Sequence, residues 1–308
     1  MATRYPKDPG LTARMGITIF LLGLLYVAFI GALLAVGVSY GVVIVIAGAL
    51  LFAQYFFSDK IALFSMHARV VSEQEAPELH AIVDRLCALA DMPKPKVGIA
   101  QTDVPNAFAT GRSPRAAVVC VTTGIMRRLD RQELEAVLSH ELSHVAHRDV
   151  AVMTIASFLG VLAGMITRFT LYAGMFGGGF GGGRGGGRDR DNGAMAVLAI
   201  MLISIIVYAI SFLLTRALSR YRELSADRSG AILIGAPAAL ASALTKVTGA
   251  MSQIPTRDLR SAEAFNAFFF APAFAKGFSL SSLFSTHPPL EKRLEQLARL
   301  EEQMRHMA

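Results

Sequence analysis

Long apolar runs dominate the N-terminal part of the chain. The first extends from about Gly16 to Gly37 and the second from about Val42 to Phe57, with an uncharged turn between them. A helix needs about 20 apolar residues to cross a hydrocarbon core of about 30 Å, so both runs can span a bilayer, the second only just. A cleaved signal peptide would end at a small-residue site instead of continuing into a second apolar run. The pattern therefore predicts a retained transmembrane hairpin over residues 1–57.

Two further apolar runs, Val150 to Ile166 and Ala194 to Leu214, flank the glycine-rich segment Phe176 to Gly193. A segment so rich in glycine cannot bury a core, which favours a flexible loop. Residues 150–215 are therefore predicted to form a second hydrophobic hairpin. Its loop contains three arginines that oppose the positive-inside rule, so a re-entrant hairpin stays open as an alternative. These are Arg184, Arg188 and Arg190.

Basic residues indicate how the first hairpin is oriented. They precede its first apolar run and follow its second, whereas the turn between the runs has none. The positive-inside rule then places the N-terminus and the residues after Phe57 in the cytoplasm. Cys87 and Cys120 lie in that cytoplasmic part, where thiols stay reduced, so no disulfide is expected. The basic residues concerned are Arg4, Lys7, Arg14, Lys60, Arg69 and Arg85.

The polar regions show helical and strand periodicities. The spacing of apolar residues predicts an amphipathic helix over Glu73–Met92, and Asp130 with Glu133 has the pattern of a capping box that begins another helix. Residues 58–149 and 216–308 are thus predicted to form one mostly helical α+β domain with a small sheet, interrupted by the second hairpin. The predicted strands are Val97–Ala100, Ala107–Thr110 and Ala116–Thr122. The other predicted helices are Ser219–Ala231, one from about Pro237 to Gln253, and one after Pro289.

Composition supports a membrane protein and argues against a nucleic-acid partner. Mean hydropathy is +0.47, with 53% hydrophobic and only 17% charged residues, which is unusual for a soluble chain. The net charge of +7 comes from scattered basic residues, several of them at membrane borders. Affinity for an anionic membrane surface explains this charge more simply than nucleic-acid binding.

The most informative stretch is His140-Glu141-Leu142-Ser143-His144. On a helix, residues four apart project from one face, so both imidazoles can converge on one Zn²⁺ while Glu141 lies one step round the helix. Zinc lowers the pKa of its bound water to about 7 and polarises a carbonyl, and a carboxylate can transfer the proton that the water loses. The pattern therefore predicts peptide hydrolysis, with a solvated polar helix face as the alternative.

A catalytic zinc usually has three protein ligands. His147, Asp149, Glu223 and His287 are candidates for the third. His147 lies on the same helix as the pair, and a third ligand on one straight helix does not easily complete a tetrahedral site. Glu223 and Asp227 are four apart on a predicted helix, so one could bind the metal and the other could hold a ligand histidine. A pair of surface acids neutralised by neighbouring arginines is an equally good interpretation of that spacing.

Several motifs together resemble the HtpX family of membrane metalloendopeptidases: SDKIAL, PNAFATGRSP, VTTGIMRRLD, HELSH, RELSAD and FSTHPPLEKRLEQL. The resemblance implies a gluzincin-type zincin domain on the cytoplasmic face of a bacterial inner membrane, with one zinc per chain. It assigns His140, His144 and Glu223 as metal ligands and Glu141 as the catalytic acid and base. It also implies that Asp227 holds a ligand histidine, most simply His140.

The same resemblance suggests two further roles. His287 resembles a histidine that donates a hydrogen bond to the oxyanion of the tetrahedral intermediate, although a histidine satisfied at a helix start is the alternative. Residues Asn106, Ala107, Phe108 and Ala109 have an extended pattern that could form an edge strand for a substrate backbone, or an ordinary sheet strand.

Three functions are compatible with these residues. The first is an endopeptidase that cleaves membrane or misfolded proteins in quality control and stress response, which is inferred from the resemblance. The second is a processing peptidase for lipid-modified (CAAX) C-termini, and the third is a membrane scaffold with a structural metal. A structural site would have no need of Glu141, which argues against the third. The ligands His144 and Glu223 require an even number of membrane crossings between them, and two apolar runs meet that condition.

Overall fold

The computed structural model describes residues 9–35, 40–149, 152–153, 158, 160, 162–168, 187–253 and 287–307. Most of the apolar run Val150–Ile166, the first part of the glycine-rich segment and the segment Phe265–Phe284 lie outside these residues. The chain forms two compact units. The apolar unit comprises residues 12–55 and 153–218, and the polar unit comprises residues 1–11, 56–152 and 219–308.

Three long helices carry the apolar sequence: α1 (Pro9–Ala35), α2 (Tyr40–Ser65) and α6 (Gly187–Ile234). Among the described residues, two stretches are long and apolar enough to cross a bilayer, Thr12–Ala35 and Met195–Ile234. The second predicted span, from about Val42 to Phe57, lies within the helix α2. This helix is not one of these two stretches. Large apolar side chains on α1 and α6 are exposed, as expected where lipid replaces water as the surrounding solvent.

Helix α6 begins earlier than the sequence indicated. Residues Gly187–Gly193 are helical, so the loop prediction is wrong for this part of the glycine-rich segment. A helix that is already nucleated gains one hydrogen bond for each residue added, which extends it into residues of low propensity. The same helix continues without a break to Ile234, so it supplies residues to both units.

Within the apolar unit, small residues permit close packing against α6. A Cβ atom at Gly160 would lie 3.4 Å from Ser211 Oγ, and one at Gly164 would lie 3.5 Å from the ring of Tyr208. Small residues four apart let membrane helices approach each other closely. The helical residues at 162–168 thus pack on α6 through a glycine-lined face.

In the polar unit, the described strands form a mixed sheet of order β1-β2-β4-β3. The strands β2 and β4 are parallel, and the two outer pairs are antiparallel. Strand β4 begins two residues later than predicted, because Pro114–Ala116 forms a 3₁₀ turn. The strands are β1 (Ala68–Val70), β2 (Lys96–Ala100), β3 (Ala107–Thr110) and β4 (Val118–Thr122).

Helix α5 (Arg131–Ala146) packs against β3 and β4 and contains the fully buried Leu138 and Leu142. The predicted helix Glu73–Met92 is shorter at both ends in α3 (Pro77–Ala90), since Pro77 favours the first turn and Asp91 ends the helix in a left-handed conformation. The other helices of this unit are α4 (Thr123–Met126), α7 (Pro237–Gln253) and α8 (Leu290–Met307).

Candidate metal centre

Helix α5 starts with the capping box that its sequence predicts. Asp130 Oδ1 accepts from the Glu133 backbone N–H at 2.9 Å, and Glu133 Oε2 accepts from the Asp130 N–H at 3.0 Å. Glu133 also contacts α7, where it accepts from Ser242 and pairs with Lys246. These contacts fix the start of the helix whose later turns carry His140, Glu141 and His144.

A glycine allows α6 to approach α5 at the level of the first histidine. A Cβ at Gly230 would lie 2.8 Å from the backbone nitrogen of His140, so any larger residue would separate the helices. Ser139 Oγ donates to the Gly230 carbonyl at 2.9 Å and bridges the same contact. The close approach brings Glu223, two turns earlier on α6, to the histidine pair.

Three buried side chains meet at this point. His140 Nε2 lies 3.7 Å from Glu223 Oε2, and His144 Nε2 lies 3.4 Å from Glu223 Oε1. Among the described residues, these three form a group whose potential ligand atoms all lie within 4.8 Å of one another. Two imidazole nitrogens and one carboxylate oxygen are a donor set that suits catalytic zinc.

The second ring nitrogen of His140 faces a carboxylate. His140 Nδ1 lies 2.9 Å from Asp227 Oδ1. Arg293 donates to both oxygens of Asp227, from Nε at 2.7 Å and from Nη2 at 2.6 Å. A carboxylate in this position orients the imidazole and makes its other nitrogen a better donor to a metal.

His144 has a matching arrangement with different residues. His144 Nδ1 lies 2.8 Å from Asp149 Oδ2, and Arg222 Nε lies 3.2 Å from the same oxygen. Asp149 is therefore placed behind a histidine and not within the group of three. His147, the other candidate ligand near the end of α5, caps that helix.

His287 contacts the third member of the group. Its Nδ1 lies 2.9 Å from Glu223 Oε2, and the residue is buried. The structure thus places the His287 ring beside the carboxylate of Glu223. Arg293 reaches the same carboxylate from the first turn of α8, with its Nη1 3.8 Å from Glu223 Oε2.

Burial and charge shift the pKa values of the carboxyl groups in this site. Burial raises the pKa of Glu141, an effect that His140 and His144 oppose. Burial would also raise the pKa of Glu223, but His287, His140 and His144 outweigh it and hold this pKa well below its ordinary value. A carboxylate that stays ionised in a buried site requires positive charge nearby.

The charge balance of the site fits a divalent cation. Among the described residues in and around the group of His140, His144 and Glu223, four buried carboxylates face two buried guanidinium groups. With neutral histidines this leaves two negative charges, which one divalent ion would balance. The residues present therefore fit Zn²⁺ both in donor type and in charge. The carboxylates are Glu141, Asp149, Glu223 and Asp227, and the guanidinium groups are those of Arg222 and Arg293.

The edge strand β3 adjoins Glu141. The Thr122 N–H donates to the Asn106 carbonyl at 2.9 Å, and Phe108 is opposite Cys120 in the same register. In an antiparallel pair the residues between such positions direct their backbone groups away from the partner strand. Ala107 and Ala109 therefore direct their backbone groups away from β4, and the Ala109 backbone N–H donates to the Glu141 carboxylate.

Sequence analysis missed Arg293, Arg222 and Gly230. A signal for Arg293 exists, because it occupies the apolar stripe of α8 together with Leu297 and Leu300, four and seven residues later. A charged residue on a buried stripe requires a buried partner. Arg222 and Gly230 offer no comparable signal, since their partners lie on α5 and beyond its end, far away in sequence.

The fold and the site define a zincin-type peptidase joined to membrane helices. Residues 73–301 match the model of peptidase family M48, and the chain belongs to this family, which is a family of metallopeptidases. A protease HtpX homolog of Streptomyces coelicolor is 58% identical over 301 residues, covering 97% of this chain and 96% of that protein. A protease HtpX homolog of Moorella thermoacetica is 56% identical and covers 99% of both chains.

A solved structure has a similar fold. The crystal structure of S. mikatae Ste24p matches with a TM-score of 0.51 and 16% identity, covering 94% of this chain and 66% of that one. These matches confirm the resemblance to HtpX proteases. They also confirm the mostly helical zincin fold with a small sheet and membrane helices. The protein is a membrane protease of family M48.

Proposed function

We propose that the protein is a zinc-dependent endopeptidase that cleaves membrane or misfolded proteins at the cytoplasmic face of a bacterial inner membrane. The observation that carries this proposal is the convergence of His140, His144 and Glu223, with ligand atoms within 4.8 Å of one another, on the helix pair that also carries Glu141. These three residues would hold one zinc ion. When bound, zinc would act as a Lewis acid that polarises the scissile carbonyl and lowers the pKa of water at the site to about 7.

Glu141 is the proton carrier in this mechanism. It is buried beside both ligand histidines, and burial favours its uptake of a proton. Its carboxylate accepts a proton from the attacking water and then donates it to the leaving amine. A carboxylate whose pKa is raised by burial is suited to both steps, because it is neither a very weak base nor a very weak acid.

Two further groups contribute to substrate binding and to the transition state. Apart from the Ala109 N–H, which donates to Glu141, the backbone groups of Ala107 and Ala109 that face away from β4 pair with an extended substrate. Such pairing needs no particular side chains and so admits varied sequences. Asn106 and Phe108 face β4 and hold the strand in register. His287 donates a hydrogen bond to the oxyanion, and its contact with Glu223 fixes its ring beside the metal ligands.

Membrane helices in the same chain support substrates that are themselves membrane-bound or exposed at the bilayer, and hence a role in quality control and stress response. The basic residues that flank the first hairpin support a cytoplasmic N-terminus and a cytoplasmic polar unit. A multi-pass arrangement follows if α1, α2 and the two segments of the second hairpin all cross.

The test measures zinc content and protein cleavage together in detergent-purified full-length protein. Wild type is expected to bind one zinc per chain and to cleave an unmodified protein such as casein. Glu141→Gln is expected to keep the zinc and to lose hydrolysis by at least about a thousandfold. Hydrolysis that survives in zinc-loaded Glu141→Gln would refute the mechanism, and cleavage of a prenylated peptide but not casein would favour the processing peptidase.

A further inference from the structure

A buried ion pair of the polar unit, Asp149 with Arg222, lies behind His144. Asp149 lies three residues after the end of α5, and Arg222 directly precedes Glu223 on α6. Both side chains are buried, with 1% of Asp149 and 8% of Arg222 exposed. Asp149 Oδ2 lies 3.2 Å from Arg222 Nε and 2.8 Å from His144 Nδ1.

The backbone between His144 and Asp149 adopts an unusual conformation. Helix α5 ends at Ala146, His147 caps it, and Arg148 has a φ of 57°. A left-handed conformation is unfavourable for a residue with a Cβ and persists only where the surrounding structure imposes it. Here it turns the chain back so that Asp149 reaches a histidine in the last turn of the helix.

His140 and His144 have matching contacts at both ring nitrogens. Each directs Nε2 to Glu223 and Nδ1 to an aspartate, and each aspartate is paired with a buried arginine. The sequence motif accounts for the aspartate behind His140, but nothing in the motif points to the aspartate behind His144.

We propose that Asp149, held by Arg222, is the positioning residue of His144. The inference rests on the proposed function, because it takes His144 to be a zinc ligand. The Asp149 carboxylate accepts from Nδ1–H, which leaves Nε2 unprotonated and aimed at the metal. The buried guanidinium of Arg222, whose Nε lies 3.2 Å from Asp149 Oδ2, holds that carboxylate in place.

An ordinary buried ion pair would behave differently. It would stabilise the metal-free and the zinc-loaded protein equally, and its loss would leave the affinity for zinc unchanged. A positioning pair acts on the ligand, so its loss weakens zinc binding and alters the electronic spectrum of a metal bound in place of zinc.

The experiment uses the full chain in detergent and measures the zinc dissociation constant by competition with a chelator. Asp149→Asn is expected to weaken zinc binding about 10- to 100-fold, Arg222→Gln about tenfold, and Arg222→Lys less than Arg222→Gln. The visible absorption spectrum of the Co²⁺-loaded protein is expected to change in Asp149→Asn. The matched control is Arg85→Gln. It removes the cation that pairs with Glu135, which lies on the same helix as His144, and it is expected to change neither the zinc affinity nor the cobalt spectrum.

Thermal unfolding of the metal-free proteins separates misfolding from weakened ligation. If Asp149→Asn does not fold, Arg222→Gln decides alone. Wild-type zinc affinity and an unchanged cobalt spectrum in the folded variants would overturn the proposal and leave the proposed function intact. A wild-type protein that binds no zinc, or that binds it equally well after His140→Ala, would overturn both.

Discussion

Helix α5 and the apolar part of α6 have opposite relations between composition and environment. Helix α5 carries His140, Glu141, Ser139 and Ser143, yet these residues are almost completely buried. The most apolar window of the stretch Met195–Ile234 has a mean hydropathy of 2.9, yet only 17% of that window is buried within the protein. In α5 polar groups are buried because other polar groups meet them, whereas in α6 apolar groups are exposed because lipid surrounds them.

The difference teaches that the same kind of substitution has different costs in the two places. Around α5 the sensitive property is the pairing of charges and the space between helices. Along α6 it is the absence of charge from the exposed surface. The following experiments test this contrast from the largest expected effect to the smallest.

Replacing Arg293 by Met removes the cation that pairs with buried Asp227. We expect a loss of about 3–5 kcal/mol in the free energy of unfolding, because the change leaves a buried charge without its partner. Chemical unfolding of the purified protein measures it. Arg299→Met is the control on the same helix, since its pair with Glu295 is exposed and should contribute under about 0.5 kcal/mol. Equal effects of the two variants would contradict the account of the buried pair.

Leu202→Lys and Leu89→Lys place the same charge on exposed leucines of the two units. Leu202 is 56% exposed on α6, and Leu89 is 37% exposed on α3. We expect the first to disfavour membrane insertion by about 2.5–3.5 kcal/mol and the second to change stability by less than about 0.5 kcal/mol. The amount of protein that resists alkaline extraction from membranes measures the first effect. Normal insertion of Leu202→Lys would show that this surface does not face lipid.

Gly230→Ala and Gly249→Ala compare a tight helix contact with an open one. A Cβ at position 230 meets the His140 backbone, whereas nothing lies within 4 Å of one at position 249. We expect the first variant to lose about 1–3 kcal/mol and some zinc affinity. The second should gain up to about 1 kcal/mol, because alanine favours a helix. Thermal unfolding with and without zinc checks both, and a harmless Gly230→Ala would contradict the close approach of α5 and α6.

Glu133→Gln tests the start of α5 through its pH dependence. Burial alone would raise the pKa of Glu133, but Lys246, Ser242 and the Asp130 backbone lower it below its ordinary value of 4.5. The folded state therefore favours the ionised form, so this stabilisation is present above about pH 4.5 and is lost as the pH falls through the lowered pKa. Near neutral pH we expect Glu133→Gln to lose about 1–2 kcal/mol.

Unfolding curves at neutral and acid pH check that prediction. The difference between wild type and Glu133→Gln should shrink in acid, where Glu133 itself becomes protonated. Lys246→Gln should give a smaller effect with the same pH trend, because Lys246 is half-exposed. A difference that stays constant over this pH range would mean that the charge of Glu133 does not stabilise α5.

Local signals predicted much of this structure. The capping box of Asp130 and Glu133 gave the start of α5, and strand periodicity gave β3 with the bounds that the structure has. Helical spacing put His140 and His144 on one face, because that relation is determined within a single turn. Where a residue and its partner lie within a few positions, sequence contains the information.

Other features depend on partners far apart in sequence. The parallel pairing of β2 with β4, the glycine contact at Gly230 and the arginines behind both aspartates follow from packing, and no short motif specifies them. The Glu223 spacing alone left two interpretations, and the burial of Glu223 and Asp227 where α6 approaches α5 argues against a pair of surface acids. The early start of α6 was missed for a related reason, since a long apolar helix overrides the weak propensity of the residues before it.

The order of the metal-centre residues along the chain has a consequence for synthesis. The ribosome makes α5 first, then the apolar insert, then Glu223, and only near the end His287 and Arg293. A growing chain therefore holds an incomplete set of the residues proposed to bind the metal until its insert has been made. We expect the nascent protease to be harmless to itself and to neighbouring nascent chains, with hydrolysis beginning only after Glu223, His287 and Arg293 have been made.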